Sequence, residues 1–132
     1  MPERLFVGSR LNGDVKVYIV CGKIIEPLPL HLELRNHSPT GFEWGYMGSG
    51  PSQLALALLY EALKNERAAR AIAFDFKREI LTQLNYDAWV LSESEIRAWA
   101  DTQLLEFSPD VREALLPPDT DEEADWKEGT RE

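Results

Sequence analysis

Fifteen residues, HSPTGFEWGYMGSGP from His37 to Pro51, separate two regimes of hydrophobic periodicity and restrict the chain more than any other stretch. Upstream, apolar residues alternate with polar ones at period two; from Pro51 onward they recur at helical spacing. The segment holds Gly41, Gly45, Gly48 and Gly50, the prolines Pro39 and Pro51, and the rings of Phe42, Trp44 and Tyr46. Glycines serve positive φ or close backbone approach, and large rings demand burial. Together they predict a shaped surface and not a mere connection.

Upstream, Arg4–Gly8 and Val15–Cys21 read as two strands joined by a hairpin, because Asn12-Gly13-Asp14 tolerates the positive φ of a tight turn. Gly22-Lys23 reads as a second turn into Ile24-Ile25, and Pro27 and Pro29 place that strand at an edge or an exit from the sheet. Leu30, Leu32 and Leu34 alternate with His31, Glu33 and Arg35, which predicts a half-buried third strand with His31 turned to solvent. Phe42 to Tyr46 reads as a fourth.

Downstream, the stripe Leu54, Leu58 and Ala62 with Ala55, Leu59 and Leu63 predicts a helix over about 51–64, entered through Gly50-Pro51. Asn65 stops or caps it. Ala69, Ile72, Ala73, Phe76, Ile80 and Leu84 predict a second helix over 66–84, and Trp89-Val90-Leu91 a last short strand. Ser92 with Glu95 matches a capping box for a third helix carrying Ile96, Trp99, Ala100 and Leu104. Ser108-Pro109 opens a short helical turn that Pro117-Pro118 closes. The expected fold is therefore α+β: an antiparallel meander of three to four strands packed against about three helices. A chain of 132 residues supports one core, so residues 1–105 read as one domain, 106–118 as a short helical extension and 119–132 as an acidic disordered tail.

Charge is unevenly distributed along the chain. Residues 106–132 hold ten acids and three bases, while residues 1–105 hold 13 acids and 11 bases. Such a balance excludes tracking a nucleic-acid backbone by bulk charge, though an acidic segment can imitate one. Cys21, the single cysteine, excludes an internal disulfide and reads as a small buried hydrophobe. No signal-peptide pattern or long apolar run appears, so the expected setting is cytoplasmic with no membrane association.

Chemistry is sparse. His37 beside Ser38, with Ser49 and Glu43 near in sequence, invites a hydrolase reading, but no nucleophile-elbow pattern accompanies them, and Ser38-Pro39-Thr40-Gly41 also reads as a turn. Two histidines and one cysteine on different elements give no metal-ligand spacing, and no cofactor is expected. Gly48, Ser49 and Gly50 at a helix mouth can cradle an anion on free N–H groups, with Trp44 and Tyr46 as stacking rings. Trp126, flanked by Asp121, Glu122 and Glu123, is a candidate protein-docking anchor. Arg67, Arg70, Lys77 and Arg78, interspersed with acids, read as a solvated helix face.

HSPTGFEWGY, GSGP and the following QLALALL resemble the core motif of an uncharacterised domain family, a domain of unknown function in small bacterial and bacteriophage proteins. The resemblance covers about residues 4–105. It implies an N-terminal β-meander, helices with a late tryptophan and a setting in mobile elements, and it carries no established activity. Met47 stands where that pattern commonly has glycine, and the acidic tail lies outside it.

These readings converge on a non-catalytic binding or regulatory module that recognises a nucleotide-like anion or a protein partner through residues 37–51. One form of it is a counter-defence inhibitor with a nucleic-acid-mimicking tail. The alternatives are a small hydrolase using His37 with Ser38 or Ser49, and a structural protein that homodimerises through Phe42, Trp44 and Tyr46.

Overall fold

A computed structural model describes residues 2–115. Strands β1 (Leu5–Leu11) and β2 (Asp14–Cys21) form the expected hairpin. Its turn holds Asn12 at φ 54° and Gly13 at φ 85°, the left-handed pair that matches the twist of the flanking strands. A second tight turn leads into β3 (Ile24–Pro27). The sheet is antiparallel throughout in the order β3-β2-β1-β4, so β3 is an edge and Pro27 ends it where a missing N–H disturbs nothing. Strand β4 (Ala88–Ser92) arrives from far along the chain to pair with the free side of β1, Gly8 opposite Trp89. A Cβ on Gly8 would lie 2.3 Å from the Trp89 indole, so only glycine lets that ring lie across the strand.

Helix α1 (Ser49–Leu63) runs through the middle of the core. Leu54 to Leu59 are all buried, which an amphipathic helix cannot achieve and a central one requires. Lys64 at φ 53° turns the chain, and Asn65 caps α2 (Glu66–Glu79) by accepting from the Ala68 N–H at 2.9 Å. A 3-10 turn follows at Leu81–Gln83. The predicted capping box of Ser92 and Glu95 opens α3 (Glu93–Leu104), and α4 (Pro109–Leu115) closes the described chain. The class is α+β as expected, with a four-stranded sheet and four helices among the described residues where about three helices were anticipated.

Two predicted strands are absent from the described residues. Leu30 to Leu34 form a turn, with His31 at φ 57° and the Leu34 N–H donating to the His31 carbonyl at 3.0 Å. Three alternating leucines imitate a strand, but Pro27 and Pro29 have already taken the chain off the sheet. Phe42 to Tyr46 is irregular, because positive φ at Gly41 (148°) and Gly45 (92°) breaks the extended run on both sides of Trp44. The second helix ends at Glu79 and not near Leu84. Cys21 is half-buried, its Sγ 3.6 Å from the Pro2 carbonyl, and not a core residue. The tail assigned to 119–132 lies outside the described residues.

Candidate functional site

Most of the 37–51 segment has structural work. The Trp44 ring is buried, its Nε1 donates to the carbonyls of Asn85 and Tyr86 at 3.1 Å each, and it meets Trp89 edge-on at 5.5 Å. Neither ring face is open to a ligand or a second copy. The Ser38 hydroxyl donates to the Gly41 carbonyl at 2.8 Å, the turn reading made from sequence. The Gly45 N–H donates to the Leu81 carbonyl. Met47 stands in place of a glycine without backbone strain, since positive φ in this loop falls on Gly41 and Gly45.

Glu43 faces Arg10 across two hydrogen bonds of 2.8 and 3.0 Å. Arg10 also stacks over Trp44 at 4.8 Å and Tyr86 at 3.9 Å. Hydrogen bonds from Arg10 hold the Glu43 carboxyl below its ordinary value, against the opposing effect of burial. The glycines of the proposed cradle are spacers: a Cβ on Gly48 would lie 2.4 Å from the Tyr46 ring and one on Gly50 2.7 Å from Glu43 Cβ. Tyr46 itself is 52% exposed. Tyr46, Ser49 and Gly50 line one hollow of about 470 Å³ with Ser38, Glu43 and Asp14. Two carboxylates on its wall oppose an anion, so the predicted set Trp44, Tyr46, Gly48, Ser49 and Gly50 is not brought together as an anion cradle.

A different hollow collects the cations. A cleft of about 310 Å³ is lined by Arg35, His37, Ser52, Leu56, Arg70, Ala73 and Phe74, from the 30–38 segment, α1 and α2. Its shape is set by Gln53, which is fully buried and makes four hydrogen bonds to main chain. Oε1 accepts from the N–H groups of His37 and Ser38 at 2.7 and 3.0 Å, and Nε2 donates to the carbonyls of Leu30 and Arg35 at 2.6 and 3.0 Å. One carboxamide thus satisfies both polarities of a segment that has left the sheet.

Lys77 of α2 lies behind two residues of the cleft lining, Ser52 and Phe74, and is only 9% exposed, which corrects its assignment to a solvated face. Its Nζ donates to Ser52 Oγ at 2.7 Å, and that hydroxyl donates on to the Gly48 carbonyl at 3.0 Å. The ammonium also lies 5.2 Å from the centre of the Phe74 ring, which is 60% exposed at the cleft mouth. Among the described residues no carboxylate pairs with Lys77 or Arg35, whereas Arg70 meets Glu66 and Arg78 meets Asp75 and Glu79. The His37 imidazole makes no hydrogen bond among the described residues. Burial first, then the charges of Arg35 and Lys77, holds it below its ordinary value of 6.5. Nearby cations and low solvation both disfavour the protonated ring.

The hydrolase set is dispersed. Ser38, Ser49 and Glu43 line the acidic hollow and His37 lines the basic cleft. His31 corrects another expectation: its side chain is 11% exposed, with Nε2 2.7 Å from Glu61 and Nδ1 3.1 Å from Glu33. Burial pushes the Glu61 carboxyl up, yet hydrogen bonds from Lys64, His31 and Arg4 outweigh it and leave the group below its ordinary value. This network ties Arg4, just ahead of β1, to the 31–34 turn and α1. No cluster of His, Cys, Asp and Glu among the described residues is arranged to hold a metal, and no described helix is long and apolar enough to cross a membrane. Trp126, Asp121, Glu122 and Glu123 lie outside the described residues.

Fold and cleft together define a small α+β domain with a basic, ring-edged hollow beside its central helix. Residues 6–102 match the model of a family of unknown function, DUF6166, and the chain belongs to that family. Comparison with curated proteins and with solved structures gives no match. Sequence reasoning missed Gln53, Ser52 and the burial of Lys77. The first two stand directly after the glycine motif, but only tertiary contacts show what they hold.

Proposed function

We propose that this protein is a non-catalytic binding module whose cleft between residues 35–37, α1 and α2 receives a phosphorylated, nucleotide-like anion. The observation that carries this reading is Lys77, a residue nine-tenths buried directly behind the cleft, whose Nζ meets the lining Ser52 hydroxyl and no carboxylate among the described residues. Buried charges are ordinarily paired, and an isolated one is costly. Arg35 and Arg70 add positive charge around the same space, His37 lines it with an imidazole held below its ordinary value, and Phe74 offers an exposed ring at its edge for a base or another flat group. The site keeps His37 from the 37–51 motif and exchanges the glycine loop for Ser52 and α2.

A hydrolase is the less favoured reading. Its histidine and serines face different hollows, and the serine that shares the cleft, Ser52, accepts a hydrogen bond from Lys77 and donates its own to the Gly48 carbonyl. A hydroxyl whose proton is committed to a main-chain carbonyl is not aligned for attack on a substrate. Nothing in residues 2–115 favours the nucleic-acid-mimicking reading of the tail.

Calorimetric titration with ADP, and with pyrophosphate as the ring-free probe, tests the proposal on wild type and Lys77→Met. Wild type should bind both, ADP more tightly, and the variant should lose about tenfold or more of the affinity while remaining folded. Equal binding by the two proteins, or no binding of either probe by wild type, refutes the reading.

A further inference from the structure

Resting on the anion-cleft reading, we infer that the cleft's resident partner is the chain's own acidic segment, residues 119–125, which occupies it in competition with a phosphorylated ligand. Charge, position and reach support this. Residues 116–132 carry seven acids against two bases, the acids concentrated at Asp119, Asp121, Glu122, Glu123 and Asp125. In the described fold a complementary surface is the cleft with Arg35 and Arg70 on its wall and Lys77 behind its Ser52, cations that lack a carboxylate among the described residues or hold only an exposed one.

The chain leaves the described residues beside that surface. Arg67 Nη1 donates to the Ala114 carbonyl at 3.3 Å, which fixes the end of α4 next to the first turn of α2. Arg70 stands one helical turn further on and Lys77 three, so the basic stretch from Arg67 is about 15 Å long at the ordinary helix rise. Ten residues of extended chain, from Leu115 to Asp125, span up to about 35 Å. Trp126 follows the acids directly, and the exposed Phe74 at the cleft edge is an apolar seat for it. Tethering makes this an intramolecular encounter at high effective concentration, so individually weak, screened ion pairs suffice.

The test uses the full-length chain with Asp119→Asn, Asp121→Asn, Glu122→Gln, Glu123→Gln and Asp125→Asn combined, which neutralises the segment without shortening it. ADP affinity at low ionic strength and amide NMR spectra are compared with wild type. A tail docked about nine-tenths of the time lowers apparent affinity about tenfold, so the neutralised chain should bind ADP about tenfold more tightly. Raising the salt concentration should shrink that difference. Amide signals of residues 35–37 and 70–77 should move on neutralisation, and ADP should move the Trp126 indole signal of wild type. Equal or weaker ADP affinity in the neutralised chain, with unmoved amides, overturns the inference while leaving the cleft as a ligand site. If neither protein binds ADP but the amides move, the tail docks and the ligand reading fails; if neither binds and nothing moves, both fail.

Discussion

Arg10 and Lys77 are two largely buried cations on the same small domain, and they have opposite surroundings. Arg10 has its carboxylate in Glu43, two aromatic faces in Trp44 and Tyr86, and a carbonyl at Tyr86. Lys77 has one serine hydroxyl and the fringe of one ring. A cation with its counterion in place belongs to the architecture. One that meets no carboxylate among the described residues is what the proposed binding reading rests on, and the distinction comes from partners and not from burial.

Three experiments sharpen or break that contrast. The largest effect is expected from Trp44→Ala, which removes the ring beneath Arg10 and opens the core against Trp89; large-to-small changes of this kind cost about 3–5 kcal/mol, read as a fall in the urea midpoint. Next comes a matched pair. Arg10→Met leaves Glu43 without its partner and should destabilise by about 1–3 kcal/mol. Lys77→Met removes a costly buried charge while Ser52 keeps its bond to Gly48, and should be neutral or stabilising by about 1 kcal/mol. Comparable losses in the two variants would erase the distinction between the sites.

The smallest effect is a pH dependence. The folded values of Glu43 and Glu61 lie below the ordinary carboxylate value of 4.5. Their contribution is therefore complete above that pH and is lost as pH falls through the folded values. His37 acts earlier. Its folded value lies below 6.5, so the unfolded chain takes up the proton first and stability declines gently as pH falls below 6.5. Urea midpoints across pH 3–8 should show both limbs; Glu43→Gln should shallow the acid limb and His37→Gln should remove the upper one. A bound anion offsets the charges of Arg35 and Lys77 and raises the His37 value, so ADP affinity should climb as pH is lowered from 7 to 5.5.

Local signals in the sequence carried what local physics decides. Asn12-Gly13 marked a hairpin turn, Asn65 a helix cap, and Ser92 with Glu95 a capping box, because each acts within a few residues of itself. Leu30 to Leu34 misled because an alternation of three leucines fits a strand, while the turn is closed by the Leu34 N–H on the His31 carbonyl and its flanks, Leu30 and Arg35, are fastened by Gln53 from far along the chain. The 37–51 motif was legible as important, yet Gly48 and Gly50 mark close packing against Tyr46 and Glu43, while Gly41 and Gly45 supply positive φ. Of the cleft, His37 was singled out. Lys77 and Ser52 were not, since a 25-residue separation carries no periodic signal.

Gln53 also frees the segment it holds. The main chain at positions 30, 35, 37 and 38 is fastened from within by one carboxamide. The side chains of Arg35 and His37 at the cleft therefore take no part in anchoring the loop through those bonds. Shape and chemistry are assigned to different residues. Such a loop behaves as an interchangeable fitting: substitutions at 35 and 37 should change the charge and shape of the cleft without loosening the segment that Gln53 holds.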